Sequence, residues 1–146
     1  MEYVFPVNPV PASRPRVGKF GSYFTGTYKS FRSRAAEAVA NVLGHGFKPL
    51  DGSLRVDIEC YVERPKSPTK TYPRGDVDNY AKAVLDSLNG KLWIDDSQIT
   101  ELYVTKTYCS PGEPGYFTVG VSPIESQKAN KKGSGSSRSN RRKSKL

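Results

Sequence analysis

The stretch "LRVDIECYVE", residues 54–63, alternates apolar and polar side chains along its whole length. A repeat of two places successive side chains on opposite faces of an extended chain, so this stretch is predicted to be a β-strand with one buried face. The apolar face consists of Leu54, Val56, Ile58, Cys60 and Val62. A strand with one apolar face belongs to a sheet that another layer covers on that face.

Amphipathic helices on both sides of this strand can supply the covering layer. The first is predicted within residues 27–46, where Gly44 or Gly46 can end it. Its apolar residues, spaced by three and four, are Ala35, Val39, Val42 and Leu43. The second is predicted to begin near Asp78 and to end at the Asn-Gly pair 89–90. Its apolar stripe is Ala81, Val84, Leu85 and Leu88.

The remaining segments complete one domain. Residues 3–7, 102–108 and 116–121 are predicted strands, the last two joined by a turn that contains Gly and Pro. Residues 8–23 are rich in Pro, Gly and Arg and are predicted to be a loop or extended arm. The order of elements predicts an α+β domain over residues 1–125, with two main helices on one face of a two-layer mixed sheet.

The formal net charge of +9 is unevenly distributed. Residues 126–146 carry eight Lys or Arg and no acid, so they are predicted to form a disordered basic tail. Residues 1–75 carry twelve basic and six acidic side chains, whereas residues 76–125 carry three basic and eight acidic ones. A basic half beside an acidic patch suits a protein that holds a polyanion against metal ions. A merely uneven solvated surface is the alternative.

Composition narrows the class of protein. The mean hydropathy is −0.61, and no apolar run approaches the roughly 18 residues of a membrane span. The first residues also lack the pattern of a secretory signal, so a soluble cytosolic protein is expected. Cys60 and Cys109 form no CxxC motif and are expected to be reduced thiols. The only histidine, His45, lies between glycines, which predicts a loop residue and disfavours a zinc site or a histidine base.

Five aspartates lie within "RGDVDNYAKAVLDSLNGKLWIDD", residues 74–96. If "DVD" is extended, Asp76 and Asp78 project to the same side about 6.5–7 Å apart and can converge on one hard cation such as Mg²⁺. Asp78 could instead cap the following helix, which would leave Asp76 unexplained.

Lys82 and Asp86 continue from Asp78 at spacings of four, along one edge of the second helix. These residues could be surface ion pairs, worth only about 0.3–0.5 kcal/mol each. Alternatively, the Lys82 ammonium contacts a scissile phosphate and stabilises the charge that grows in the transition state.

The segment "LWIDDSQI", residues 92–99, supplies a second pair of acids. Trp93 and Ile94 are expected to anchor the segment in the core, and Asp95 and Asp96 emerge from it. Adjacent side chains diverge, so one of the two faces the site, and spacing does not say which; a turn or local cap is the alternative. Carboxylates from two segments, a helix lysine and basic flanks together indicate a metal-dependent phosphodiesterase.

The whole motif resembles that of the RusA-type Holliday junction resolvases, which are crossover junction endodeoxyribonucleases. Their signature has the form D-x-D-N-x-x-K-x-x-x-D-A/S-L, a short turn containing Gly, and W-x-D-D-S/A-Q-V/I. The matching residues are Asp76, Asp78, Asn79, Lys82, Asp86, Ser87, Leu88, Trp93, Asp95, Asp96 and Gln98. The match is strong over about 25 residues and extends weakly, in length and element order, over residues 1–125.

The resemblance implies a dimeric RusA-like fold and a nuclease that resolves four-way DNA junctions in recombination and repair. Such a nuclease would act in the cytoplasm of a bacterial host and would be encoded by a bacterial or a phage gene. It implies Mg²⁺ as the cofactor, with Mn²⁺ able to substitute. The essential, metal-binding aspartates would be Asp76, Asp78 and Asp96, with Asp95 less favoured, and Lys82 would be an important catalytic lysine. A junction with near two-fold symmetry suits two sites related by a dimer axis.

Nine basic residues in three parts of the chain are predicted to bind DNA. They are Arg14, Arg16 and Lys19 in the arm, Lys70 and Arg74 before the DxD, and Arg138, Arg141, Arg142 and Lys143 in the tail. Aromatic residues at positions 20, 23, 24, 28 and 31 interleave with the arm's cations and could stack on unpaired bases, although Tyr28 and Phe31 could instead pack under a helix. Family members can carry more arginines before the DxD, and the tail extends past their usual end.

Two other functions fit parts of the pattern. A non-catalytic, architectural DNA-binding protein would bind DNA with strong salt dependence and would not need its acids. A nuclease for flaps or forks would share the chemistry but act on another branched substrate. The carboxylate–lysine set argues for a nuclease, because a pure binder gains nothing from acids that face phosphate.

Overall fold

The structure is a computed structural model that describes residues 1–13, 16–19, 21–23 and 26–125. Its strands and helices, in chain order, are β1 (Glu2–Phe5), β2 (Arg16–Gly18), β3 (Gly21–Tyr23), α1 (Gly26–Leu43), β4 (Leu54–Val62), α2 (Val77–Leu88), a short 3₁₀ helix (Asp96–Gln98), β5 (Ile99–Tyr108) and β6 (Tyr116–Pro123). The predicted α+β class, with two helices and a mixed sheet, is confirmed. The predicted basic tail lies outside the described residues, so the domain boundary at residue 125 stays a prediction.

The alternating stretch becomes β4, a central strand of the four-stranded sheet, whose order is β1-β6-β4-β5. It pairs parallel with β5 and antiparallel with β6. The parallel pairing needs a crossover connection, and α2 lies within it. The predicted strands β5 and β6 both exist, but they flank β4 instead of pairing with each other.

The core lies between the apolar face of β4 and the two helices. Leu54, Val56, Ile58 and Cys60 are each 1% exposed or less, which confirms the predicted buried face. The rings of Phe5 and Phe117 stack with centroids 5.1 Å apart, and Phe31 of α1 lies 6.3 Å from Phe117. The buried positions of α2 are Tyr80, Ala81, Ala83, Val84 and Leu88.

Four expectations are corrected by the packing. The segment predicted as a loop contains a short hairpin, in which Arg16–Gly18 pairs with Gly21–Tyr23. Tyr28 and Phe31 lie on the buried face of α1 and are therefore not available to stack on bases. Val42 is 37% exposed, because its position lies at the edge of the helical stripe. Ile94 is 54% exposed, because Trp93 takes the inward position and successive side chains of an extended segment diverge.

Three further features concern the cysteines, the histidine and the helices. Both cysteines are free and buried, and burial raises the pKa of the Cys60 thiol to about 12. His45 is an exposed residue of the turn that follows α1. In the described part of the chain, neither helix combines the length and apolar character needed to cross a bilayer.

Candidate active site

Asp76 and Asp78 lie at the N-terminus of α2. Asp76 is the cap residue, with an extended backbone, yet its side chain makes no capping hydrogen bond. Asp78 lies inside the first turn, so the alternative in which Asp78 is the cap is wrong. The backbone is extended at Asp76 but helical from Val77. The two acids therefore do not project to the same side of an extended segment, as predicted for an extended "DVD". Both side chains are exposed and sit where the helix dipole favours negative charge.

One edge of α2 carries the next members of the motif. The Lys82 ammonium lies 3.2 Å from Oδ2 of Asp86, four residues later, and its side chain is 64% exposed. This is the predicted ion pair, and an exposed pair of this kind adds about 0.3–0.5 kcal/mol to stability. Because the pair is weak, Lys82 can leave Asp86 at small cost.

Asp96, in the 3₁₀ helix, is close enough to this edge for the charges of Lys82 and Asp86 to affect its carboxyl. Burial raises the pKa of the Asp96 carboxyl, and the hydrogen bond from the Trp93 indole lowers it. The negative charge of Asp86 raises the same pKa further, whereas the positive charge of Lys82 lowers it. A half-buried acid beside another acid is a poor place for a negative charge and a good place to attract a cation. Asp86, Lys82 and Asp96 therefore form one electrostatic group, in which Asp86 was predicted only as an ion-pair partner of Lys82 and as a residue of the motif.

Two side chains fix the position of Asp96. The indole N–H of Trp93 donates a hydrogen bond of 2.6 Å to Oδ1 of Asp96. The backbone N–H of Asp96 donates to Oδ1 of Asn89, the residue that ends α2, at 2.9 Å. Trp93 is fully buried, as predicted, but its polar contact was missed. A buried indole needs an acceptor, and an Asp three residues later was the available signal.

Asp95 has a different task. Its carboxylate accepts a hydrogen bond from the Ser97 N–H at 2.9 Å, which lowers the pKa of Asp95, and its own N–H donates to Oε1 of Gln98 at 2.8 Å. This capping box holds the 3₁₀ helix. The geometry thus favours Asp96 over Asp95 as the ligand, a choice that spacing had left open.

The turn before the DxD brings the start of the basic arm beside α2. Ala12 N–H donates to the Asn79 carbonyl at 2.9 Å. Gly75 adopts a φ of +93°, and a Cβ there would lie 2.8 Å from Cγ of Pro11. Pro11 and Ala12, at the start of the arm, therefore lie next to the segment that carries the two acids. Lys19, Lys70 and Arg74 are exposed, while Arg14 and the tail cations lie outside the described residues and only the backbone of Arg16 is described.

We expect Gly75→Ala to lower the free energy of unfolding by about 2–3 kcal/mol, because it adds a contact with Pro11 to the cost of a positive φ. Gly112→Ala is the matched control, since Gly112 has a φ of +83° with nothing within 4 Å of its Cβ position. That control should cost only about 1 kcal/mol. Urea denaturation of both variants measures the difference, and equal losses would contradict the close packing at Gly75.

The predicted site lies on an open surface. A cleft of about 400 Å³ lies elsewhere, lined by residues near the end of α1 and by Gly90 and Lys91, and it includes none of the predicted acids. Small organic ligands favour enclosed apolar pockets. An exposed acidic edge with flanking cations is better suited to a polymeric phosphodiester.

The donor chemistry fits a hard cation, although the fit is partial. The cap residue Asp76 leaves its carboxylate unused by the helix, Asp78 is exposed, and Asp96 commits only Oδ1 to Trp93. Carboxylate oxygens are the ligands that Mg²⁺ prefers, with water and phosphate completing the shell. Across the described ranges, however, no three acids, thiols or imidazoles are grouped closely enough to hold a metal. The three-aspartate ligand set therefore stays a prediction.

Comparison with known proteins agrees with the motif. The family model of endodeoxyribonuclease RusA matches residues 6–114. The uncharacterized protein YqaN of Bacillus subtilis (strain 168) is 33% identical over 73 residues, which is 40% of this chain and 51% of the relative. The chain thus spans about half the length of that curated relative.

Proposed function

Because the chain belongs to the RusA endodeoxyribonuclease family, we propose that it hydrolyses phosphodiester bonds at four-way DNA junctions in a reaction that requires Mg²⁺ or Mn²⁺. The observation that carries the proposal is that the charges of Lys82 and Asp86, an ion pair on the helix whose first turn carries Asp78, act on the carboxyl of Asp96. We place this activity in DNA recombination and repair in the cytoplasm of a bacterial host, with a bacterial or phage gene.

In this proposal the acids and the lysine divide the work. Asp76, Asp78 and Asp96 would hold the metal, which when bound polarises the phosphate and activates water. Lys82 donates to a phosphate oxygen as negative charge develops, and Asp86 holds its ammonium at the edge until DNA arrives. Trp93 orients Asp96, and its hydrogen bond opposes the rise in the pKa of Asp96 that burial causes.

The flanking cations would bind the DNA backbone. Lys19, Lys70 and Arg74 are exposed, and the Lys70 ammonium lies 5.9 Å from the centre of the Tyr72 ring. Arg14, Arg16 and the tail residues Arg138, Arg141, Arg142 and Lys143 would add further phosphate contacts. Each neutralised phosphate steepens the dependence of binding on salt, by a slope of roughly 0.9 in log–log form.

A homodimer would complete the reaction. Resolution of a four-way junction needs cuts in two opposed strands, and one acidic site per chain becomes two through a two-fold axis. Analytical ultracentrifugation at the concentration of the cleavage assay should give a dimer. A monomer that still cuts both strands of one junction in a concerted way would contradict this part of the proposal.

The function is tested by incubating the protein with labelled four-way, Y-shaped and linear duplexes, with Mg²⁺ or with EDTA. We expect paired cuts in the four-way junction with Mg²⁺ and none with EDTA. Binding without cleavage under all conditions would favour the architectural protein. Preferential cutting of the Y-shaped duplex would keep the chemistry and assign it to forks or flaps.

A further inference from the structure

Lys106 lies on β5, outside the motif, and its ammonium reaches the turn that precedes Asp76. It donates hydrogen bonds to the carbonyl of Pro73, at 2.7 Å, and to the carbonyl of Gly75. The carbonyl between them, that of Arg74, accepts from the Tyr80 hydroxyl at 2.7 Å. Three successive carbonyls are thus fixed by side chains from two elements of the fold.

Partial burial and two aromatic rings strengthen the interaction of the Lys106 ammonium with the turn. Lys106 is half-buried, and its Nζ lies 5.6 Å from the ring centre of Tyr72 and 5.9 Å from that of Tyr80. Cation–π contacts gain strength when the cation is partly removed from water. Hydrogen bonds from a charged donor are roughly twice as strong as neutral ones. Lys106 therefore ties the turn to the sheet more firmly than a neutral side chain could.

The turn leads directly into the proposed site. Gly75 precedes Asp76, whose own side chain makes no capping hydrogen bond that could hold it in place. Its backbone carbonyl starts the helix by accepting from the N–H groups of Asn79 and Tyr80. The position of the Asp76 carboxylate thus depends on the backbone that Lys106 and Tyr80 hold.

We infer that Lys106 is a positioning residue that orders the 73–75 turn and so preorganises Asp76 for cation binding. The inference rests on the proposed function for its catalytic consequence. Its structural part, an ordered turn, is independent of that function. The ammonium contacts backbone oxygens and aromatic rings of the protein itself and is not assigned a contact with DNA.

The test compares Lys106→Met with Lys48→Met, a matched control at an exposed lysine in the loop before β4. Hydrogen–deuterium exchange should be at least about tenfold faster in residues 73–80 of Lys106→Met, because charge-assisted hydrogen bonds that hold the turn are lost. The Kd for Mn²⁺, measured by calorimetry without DNA, should rise about tenfold. Lys48→Met should change neither quantity, and Lys106→Arg should restore much of both.

If Lys106→Met does not fold, Lys106→Gln keeps a neutral donor and should give a smaller change in the same direction. Exchange and Mn²⁺ affinity equal to those of the wild type in a folded variant would overturn the inference. Failure of the proposed function has a different signature: the wild type would not cut junctions with Mg²⁺, or the Asp76 and Asp78 variants would cut them normally, whatever the exchange of the turn. The two failures are therefore distinguishable.

Discussion

Asp78→Asn is expected to lower the rate of junction cleavage by about 1,000-fold, since loss of one proposed metal ligand would remove several kcal/mol of transition-state stabilisation. The carboxamide is neutral and binds a hard cation weakly. Junction binding should stay intact or become tighter, because the variant removes one negative charge that repels phosphate. Single-turnover cleavage with Mg²⁺ and fluorescence anisotropy in EDTA measure the two effects separately.

Asp51→Asn is the matched control, because it removes the same charge from an exposed turn before β4 while its side-chain oxygen can still accept from the Gly52 N–H. It should cut at the wild-type rate. Asp78→Asn should lose at most about 1 kcal/mol of stability, from the weaker interaction with the helix dipole, so its inactivity would not reflect unfolding. Full cutting by Asp78→Asn would end the assignment as a nuclease that uses this site.

The parts of the fold that sequence could predict are those encoded by local periods. The strand at 54–62 and the helix at 77–88 follow from repeats of two and of three to four, and the structure contains both. The order of strands depends on pairing between distant segments, so nothing local indicated that β5 and β6 lie on opposite sides of β4. The hairpin at 16–23 was hidden because Pro, Gly and Arg suggested only a loop.

In the candidate site, too, the sequence could predict the features encoded locally but not those that depend on packing between distant segments. The motif identified the acids and Lys82, and the helix confirms that Asp78, Lys82 and Asp86 share one element. The spacing could not show that Trp93 donates to Asp96, because the direction of an indole depends on the packed core. Lys106 lies 31 residues from Gly75 in the chain, and only the parallel strand that carries it brings them together.

Asp96→Asn is expected to remove activity and to increase stability. Cleavage should fall about 1,000-fold, because Asp96 is another of the proposed metal ligands. The free energy of unfolding at pH 7 should rise by up to about 1 kcal/mol, since the side chain keeps contact with solvent. Burial is the first cause of the raised pKa of Asp96, and the carboxylates of Asp86 and Asp95 add to it. The asparagine oxygen can still accept from Trp93, so the variant removes the charge and keeps the hydrogen bond.

The dependence of this gain on pH follows from the sign of the pKa shift. A carboxyl whose pKa is raised on folding contributes stability that is fully present below its unfolded pKa and is lost as pH rises through the folded pKa. Asp96→Asn should therefore match the wild type well below pH 3.8, the unshifted value, and exceed it at neutral pH. Asp95→Asn should behave in the opposite way, because hydrogen bonds to Ser97 lower the pKa of Asp95 and the ionised form contributes stability at neutral pH. Thermal unfolding across this pH range distinguishes the Asp95 variant from the Asp96 variant. An Asp96→Asn variant that is less stable than the wild type at pH 7 would show that Asp96 stabilises the fold and is not kept for binding a cation.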